Sequence, residues 1–500
     1  MTHDFDVILV GYGPTSAILA NLLGAKGWKV GVVERSQSVY ELPRAVHFDA
    51  EVMRIFQHIG LAEKIGALTE KVRGMDLQNA GGDLLARYTS PSSTGKQGWH
   101  EGYMFHQPDL ERTLREGVGR FPNVDVQLGT EIESVRTEED GVGSVQGTGP
   151  AGPVSATARF VVGCCGARSI TGHAIQTEVR DFGADRAWIV VDIRLLHDPG
   201  LPDVTVQYCD PARPCTYVPS AGTLKRFELM LLPGESAPEM LAPERIGQLL
   251  GRWLQPADYA LVRAAVYTFH ATLATRWRKG PLFVCGDAAH QMPPFLGQGL
   301  GSGARDAANL AWKLDLVLRG VASDALLDTY QAERAPHVQA LIESDLWLSN
   351  IIQTTDPHIA QLRDQQMSAT AGSSALVPPD PPLGSGLCDS SERSGRPFIQ
   401  PTLAQGLLHD EILGKGFALI GAIQPSDWAR RVLDALGAHA VDQPADEVAA
   451  WLRELGATAV VVRPDRYVLA SVRDVQGLDQ ALEPLARYLG MGAAGTTASI

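Results

Sequence analysis

The run Phe5-Asp6-Val7-Ile8-Leu9-Val10 is apolar and β-rich, and it stops at Gly11-Tyr12-Gly13-Pro14-Thr15-Ser16. The apolar stretch from Ala17 to Leu23 then reads as a helix, and a second strand, Val30-Gly31-Val32-Val33, ends in Glu34-Arg35. Strand, glycine turn, helix and a strand closed by an acid make up a dinucleotide-binding βαβ unit. Gly11 permits the tight turn, Gly13 lets a pyrophosphate reach the helix N-terminus, and Glu34 can hold ribose hydroxyls. Ser16 stands at the usual third glycine and is small enough for helix and strand to pack closely. The plain alternative is an ordinary strand–turn–helix with a solvated Glu34.

A second unit lies far along the chain. Leu282-Phe283-Val284-Cys285 reads as a buried strand and leads into Gly286-Asp287-Ala288-Ala289-His290-Gln291-Met292-Pro293-Pro294, then Gly297-Gln298-Gly299. Asp306 to Leu314 continues as an amphipathic helix. Asp287 can accept hydrogen bonds from sugar-alcohol hydroxyls, and the loop glycines let backbone approach a flat ring. The positive end of the helix can stabilise negative charge on that ring. A structural crossover is the alternative, which the N-terminal unit disfavours.

Composition narrows the class. Five hundred residues exceed one core, so two or three domains are expected. A formal charge of −14 argues against nucleic acid or an anionic membrane surface as partner. No apolar segment reaches transmembrane length and the start is acidic, so a cytoplasmic protein is expected. The six cysteines include no Cys-x-x-Cys pair, which favours reduced core thiols over a disulfide framework or a zinc site; no metal is expected.

Together the two units resemble the class A flavoprotein aromatic hydroxylases, which share the fold of p-hydroxybenzoate hydroxylase. Further segments are similar to 3-(3-hydroxyphenyl)propionate hydroxylases: Pro43-Arg44-Ala45 with Asp49-Ala50-Glu51, Phe105-His106-Gln107-Pro108, Trp188 to Ile193, and Arg226-Phe227-Glu228. So are Pro233-Gly234-Glu235, Asp328 to Arg334, and Arg463-Pro464-Asp465-Arg466-Tyr467, which extends the resemblance over nearly the whole chain. The resemblance implies that NAD(P)H reduces FAD, that O2 adds to give a C4a-hydroperoxide, and that its distal oxygen attacks a phenol ring ortho to a hydroxyl. A 3-(3-hydroxyphenyl)propionate-like substrate is implied. The alternatives are a biosynthetic hydroxylase of a larger phenol or polyketide, and a flavoprotein without NAD(P)H-driven turnover.

The resemblance also implies residue roles. Gly11, Gly13, Pro14, Thr15, Ser16, Glu34 and Arg35 contact the ADP half, and Arg44 and Gln107 the pyrophosphate–ribityl region. Asp287 binds the ribityl chain, while Pro294, Gly297, Gly299, Leu300 and Gly301 line the isoalloxazine. Arg44 also reads as a solvated loop arginine and Gln107 as a helix cap. Two departures stand out. Cys165-Gly166 replaces the family's Asp-Gly pair, with Gly172 at a later arginine position, and Gly301 replaces an asparagine. Looser FAD binding or slower reduction is expected from the lost carboxylate; a backbone N–H can substitute for the lost amide.

The expected fold is α/β: a Rossmann-like FAD-binding domain, a β-sheet substrate domain and a thioredoxin-like C-terminal domain. The discontinuous FAD domain takes 1–75, 100–180 and 270–367, and the substrate sheet takes 76–99 and 181–269. A Ser/Gly/Pro-rich linker spans 368–396 and the tail 397–490. The tail has no redox cysteine pair, so a structural or homodimer-stabilising role is expected. Strand-like segments in the middle offer Tyr208, Arg213, Tyr217 and Met230 as substrate contacts, with Arg213 matched to an anionic side chain; plain sheet packing is the alternative. A free phenol titrates near pH ~10, so a base is wanted. His47 is the leading candidate, with His106 and Tyr217 behind it and Pro294 at the ring, and a histidine bonded to local backbone is the alternative. His290 is expected to brace the loop.

Overall fold

Val7, Ile8, Leu9 and Val10 are all at most 4% exposed, so their strand is covered on both faces, as a continuous apolar run requires in a parallel sheet. The computed structural model describes residues 3–41, 44–368, 376–388 and 390–494. Pro43 of the Pro43-Arg44-Ala45 segment and residues 369–375 and 389 of the expected linker lie outside the described residues. The strand Phe5–Val10 sits at the centre of a parallel core ordered Leu282–Val284, Gly152–Gly163, Phe5–Val10, Val30–Glu34, Val124–Leu128. Gly143–Gly149 and Glu131–Thr137 extend this sheet antiparallel. The helices Pro14–Gly24 and Gly299–Leu318 pack against one another beneath it. Gly303 approaches Thr15 so closely that a Cβ would collide with the threonine hydroxyl.

A seven-stranded sheet roofs this layer, in the order Tyr259–Phe269, Arg186–Leu195, Leu224–Met230, Cys215–Val218, Thr205–Cys209, Gly74–Asn79, Leu84–Thr89. Successive side chains on a strand point to opposite faces. The outer face carries Ile189, Val191, Val206, Tyr208, Tyr217 and Phe227, which pack with Met240, Ile246 and Leu250 of the covering helices Ala237–Met240 and Pro243–Leu250. The inner face looks down on the loop after Cys285. Trp188 of the roof packs on Phe295 of that loop with ring centroids 5.3 Å apart, and both belong to a cluster with Met230 and Leu348.

The C-terminal unit is a thioredoxin-like layer with sheet order His439–Val441, Ala418–Gly421, Ala459–Val462, Val468–Val472. The helices Asp427–Ala435, Asp446–Glu454 and Val475–Tyr488 flank it. It is joined to the rest by buried ion pairs. Glu333 Oε2 accepts from Lys313 Nζ at 2.7 Å and from Arg463 Nη2 at 2.8 Å, and Asp465 Oδ2 accepts from Trp312 Nε1 at 3.1 Å. A second pair is two-pronged: Arg54 Nε and Nη2 each donate to Asp410 at 2.7 Å. Among the described residues no helix is long and apolar enough to cross a membrane.

Candidate active site

The carboxyl ends of the parallel strands and the inner face of the roof enclose a cavity of about 1940 Å3. That exceeds the roughly 300–1,000 Å3 of an ordinary small-molecule pocket, leaving room for a two-part cofactor and a substrate. Gly11, Gly13, Pro14, Thr15, Glu34 and Arg35 form one part of its wall. Gly11 holds φ +97, and a Cβ there would lie 2.7 Å from the Cys164 carbonyl oxygen. Gly13 caps the helix Pro14–Gly24 without any side-chain bond, and nothing lies within 4 Å of where its Cβ would stand. The helix therefore offers its amide groups to an anion. Glu34 is oriented by two backbone donors, Tyr12 N–H and Ser36 N–H, each at 2.8 Å. A carboxylate has about four acceptor sites, so two remain for sugar hydroxyls. Ser16 is buried behind this wall rather than on it, and its hydroxyl has no partner among the described residues.

Arg44 and Gln107 meet through a contact the sequence did not reveal. Gln107 Oε1 accepts the Arg44 and Ala45 N–H groups at 2.7 and 2.8 Å, and its amide donates to Glu111 at 2.7 Å. Both residues line the cavity. Asp287 faces into it with no hydrogen-bond partner among the described residues, while the surrounding protein raises its carboxyl pKa against the opposing pull of His290 and Arg44. Exposed to the cavity, its oxygens are open to donors from a bound molecule. His290 braces the loop: Asp306 Oδ2 lies 2.7 Å from His290 Nε2 and accepts the Gly286 N–H at 3.1 Å, and Arg334 Nε donates to Oδ1 at 2.8 Å.

Pro294, Gly297, Gly299 and Leu300 line the cavity below the roof. The helix Gly299–Leu318 begins there, and its first intrahelical donor toward the loop is Ser302 N–H to the Gln298 carbonyl. The amides of Gly299, Leu300 and Gly301 are thus open. Gly301 itself is off the wall, and the space beside it holds the Arg305 guanidinium, whose Nη1 would be 2.7 Å from a Cβ. Arg305 is gripped by Asp49 and Glu51, and the latter bond measures 2.7 Å. His47 lies on the wall against Gly297; burial lowers its pKa more than Asp49 raises it, so the ring is neutral near pH 7. Cys165, Gly166 and Arg168 line the wall, and the Cys165 thiol donates to Ser169 Oγ at 3.2 Å.

An open helix N-terminus, an unpartnered acid and a second set of open amides suit the pyrophosphate, the ribityl chain and the flavin ring of FAD. Replacing Asp287 with Ala should weaken FAD binding about 10- to 100-fold, the loss of charge-assisted hydrogen bonds worth roughly 1.5–3 kcal/mol. Its melting temperature without FAD should not fall. A flavin-fluorescence titration and a thermal scan check both.

The expected substrate contacts need correction. Tyr208 and Tyr217 point to the outer face, Arg213 is tied to Glu235 and to the Met230 carbonyl, and Met230 is packed against Trp188 and Phe295. None of the four lines the cavity, so Tyr217 is removed from the catalytic candidates as well. The cause is the two-residue period of a strand: the neighbours Gln207, Thr216 and Val218 face inward instead. Arg226, Glu228 and Arg263 join them, and Asp192 sits between the two arginines, bonded to Arg226 Nε and Arg263 Nη2 at 2.7 Å each. The signal for this was present in the inward-outward alternation around Arg226-Phe227-Glu228.

Known proteins resemble this chain in sequence and fold. The family profile described as FAD binding domain matches residues 4–345. A probable NADH-specific resorcinol 4-hydroxylase from Rhodococcus jostii is 37% identical over 499 residues, covering 95% of this chain and 93% of that protein. A 3-(3-hydroxy-phenyl)propionate/3-hydroxycinnamic acid hydroxylase from Mycolicibacterium smegmatis is 34% identical over 483 residues, covering 92% and 82%. Among solved structures, aklavinone-11 hydroxylase with FAD and aklavinone shares the fold at a TM-score of 0.80 and 23% identity, covering 98% of this chain and 99% of that one.

Proposed function

Because this chain belongs to the FAD-binding family of flavin-dependent aromatic hydroxylases, we propose that it uses NADH and O2 to hydroxylate a small neutral phenol ortho to an existing hydroxyl. FAD, when bound, supplies the two-electron chemistry that accepts reducing equivalents from a nicotinamide and activates O2. The chain's own residues hold and enclose that chemistry. Gly11, Gly13 and Glu34 hold the ADP half, Arg44 and Asp287 the central part, and the open amides after Gln298 the ring. Trp188, Phe269 and Phe295 seal the roof to the loop and keep water from the ring side. His47 packs against Gly297 as part of the loop's support.

The observation that carries the choice of substrate is the state of the roof's cations. Arg226 and Arg263 face two roof carboxylates, Asp192 bonded to both and Glu228 3.6 Å from Arg226, and Arg213 is off the cavity, so a carboxylate arm on the substrate meets no roof arginine without a counter-charge. This favours a resorcinol-like substrate, in keeping with the name of the Rhodococcus jostii relative. The second reading, a phenol with a propionate arm, is served by Lys96, which lines the same cavity. The test is turnover of resorcinol and of 3-(3-hydroxyphenyl)propionate by FAD-loaded protein with NADH or NADPH under isotopically heavy O2. The expected result is NADH-driven conversion of resorcinol to a trihydroxybenzene carrying one heavy oxygen, at least ~10-fold more efficient than the propionate. The reverse preference, abolished by Lys96→Ala, transfers the assignment to the second reading.

A further inference from the structure

The inner face of the roof is ordered in rows. One row crosses the strands as Arg263, Asp192, Arg226 and Val218, and is closed by its own ion pairs. The next is Val190, Glu228, Thr216 and Gln207, paired directly opposite one another on adjacent strands. All four of these face the cavity. Resting on the proposed function, we propose that Glu228, Thr216 and Gln207 are the hydroxyl-recognising row of the phenol site, with Glu228 accepting the hydrogen bond of the hydroxyl that directs reaction.

Three observations support the assignment. Directly opposed side chains on neighbouring strands stand about 4.5–5.5 Å apart, which matches the two oxygens of a meta-dihydroxybenzene. Thr216 Oγ1 donates to Gln207 Oε1 at 2.5 Å, which leaves the threonine oxygen free to accept from a second hydroxyl. Glu228 is 5% exposed, and Arg226 approaches it only to 3.6 Å while bonding Asp192 at 2.7 Å and the Arg44 carbonyl at 2.8 Å. A buried carboxylate so loosely held gains from a further donor, and a phenolic O–H reaching it from the cavity supplies one.

The charged groups facing Glu228 are Arg226, Asp192 and Arg263; burial raises its carboxyl pKa, outweighing Arg226, and so strengthens it as a base. When a ring carbon bonds one oxygen atom of O2, the O–O bond breaks and the other oxygen leaves as water, with NADH supplying the two electrons. The directing hydroxyl becomes a carbonyl and its proton passes to Glu228. Loss of the hydrogen at the new C–O carbon and return of a proton to the carbonyl oxygen restore the phenol. Val190 contributes an apolar surface beside the acid, where a ring rather than water is favoured.

The test uses FAD-loaded wild type, Glu228→Gln and Thr216→Val. Resorcinol and phenol are titrated against the flavin spectrum, followed by steady-state turnover with NADH. Glu228→Gln should lower kcat for resorcinol about 100-fold or more while KM moves less than about 10-fold, the pattern of a lost proton acceptor. Thr216→Val should raise the resorcinol Kd about 10-fold and leave that of phenol, with its single hydroxyl, within about twofold. FAD affinity should be unchanged in both. The assignment is overturned if both variants bind and turn over resorcinol like wild type, or if activity falls only in step with FAD content. A wild-type flavin spectrum that responds to no phenol overturns the proposed function as well as this row, whereas a response with unaffected variants overturns the row alone.

Discussion

Gly11→Ala should bind FAD at least ~100-fold more weakly than the wild-type chain. The residue holds φ +97, a conformation that strains any side chain by about 1–3 kcal/mol. Its Cβ would also lie 2.7 Å from Cys164 O and 2.9 Å from Cys165 Cα, both backbone atoms of the adjacent parallel strand's end. Neither can swing aside as a flexible side chain would, so the turn itself must move, and with it the amides at the start of the helix Pro14–Gly24. A combined penalty of about 3 kcal/mol or more corresponds to at least ~100-fold in the FAD Kd. Gly13→Ala is the matched control. Gly13 has φ −77, and its Cβ would meet nothing within 4 Å, so the polypeptide should keep its unliganded stability. The new methyl would stand where a pyrophosphate approaches, so FAD binding should still weaken. Titration of flavin fluorescence, with thermal unfolding of the FAD-free proteins, separates a lesion of the turn from a lesion of the cofactor's approach.

Glu333→Ala should destabilise the docking of the C-terminal unit by about 3–5 kcal/mol, the cost of stranding buried charge. Glu333, Lys313 and Arg463 are each essentially unexposed, and the acid receives both cations within 2.8 Å. Burial pushes the carboxyl up, but Arg463 and Lys313 overcome it and hold Glu333 at about 2, against 4.5 for a free glutamate. The sign follows from the depressed folded value. The contribution is fully present above pH ~4.5 and is lost as pH falls from there toward ~2. Glu333→Ala should therefore cleave more readily in the 376–388 segment at neutral pH, while wild type should show this only on acidification. Limited proteolysis and urea unfolding at pH 7 and pH 3 read both effects. Equal protease resistance of variant and wild type at pH 7 would falsify the clamp.

Local chemistry explains what was legible in the sequence. Gly11, Gly13, Glu34, Asp287 and the Gly297 to Gly299 loop act through turns and helix ends, and these are written in neighbouring residues. The roof strands were legible too, but not which face each residue takes. A shift of one residue exchanges Tyr208 for Gln207 and Tyr217 for Thr216, because the period of a strand is two. Tyr208 and Tyr217 suit a substrate pocket by residue type, whereas their burial beneath Met240 and Leu250 makes them the outer core. Arg213 suits an anion by its charge, but Glu235, which pairs with it, lies 22 residues away. Arg463 to Tyr467 stands out as a segment, yet its partners Glu333 and Trp312 come from helices more than a hundred residues earlier. Pairings of that kind are decided by tertiary packing and leave no local pattern.

The central proposal, that this cavity holds FAD which NADH reduces in the presence of a phenol bound under the roof, is tested most directly by anaerobic stopped-flow spectroscopy. FAD-loaded protein is mixed with NADH or NADPH, with and without resorcinol, and the flavin band is followed. The account predicts rapid bleaching with NADH when resorcinol is present and bleaching at least ~10-fold slower when it is absent. A flavin band that bleaches with neither nucleotide, whether or not the phenol is added, would contradict it and direct attention to Cys165, where the wall carries a thiol hydrogen-bonded to Ser169.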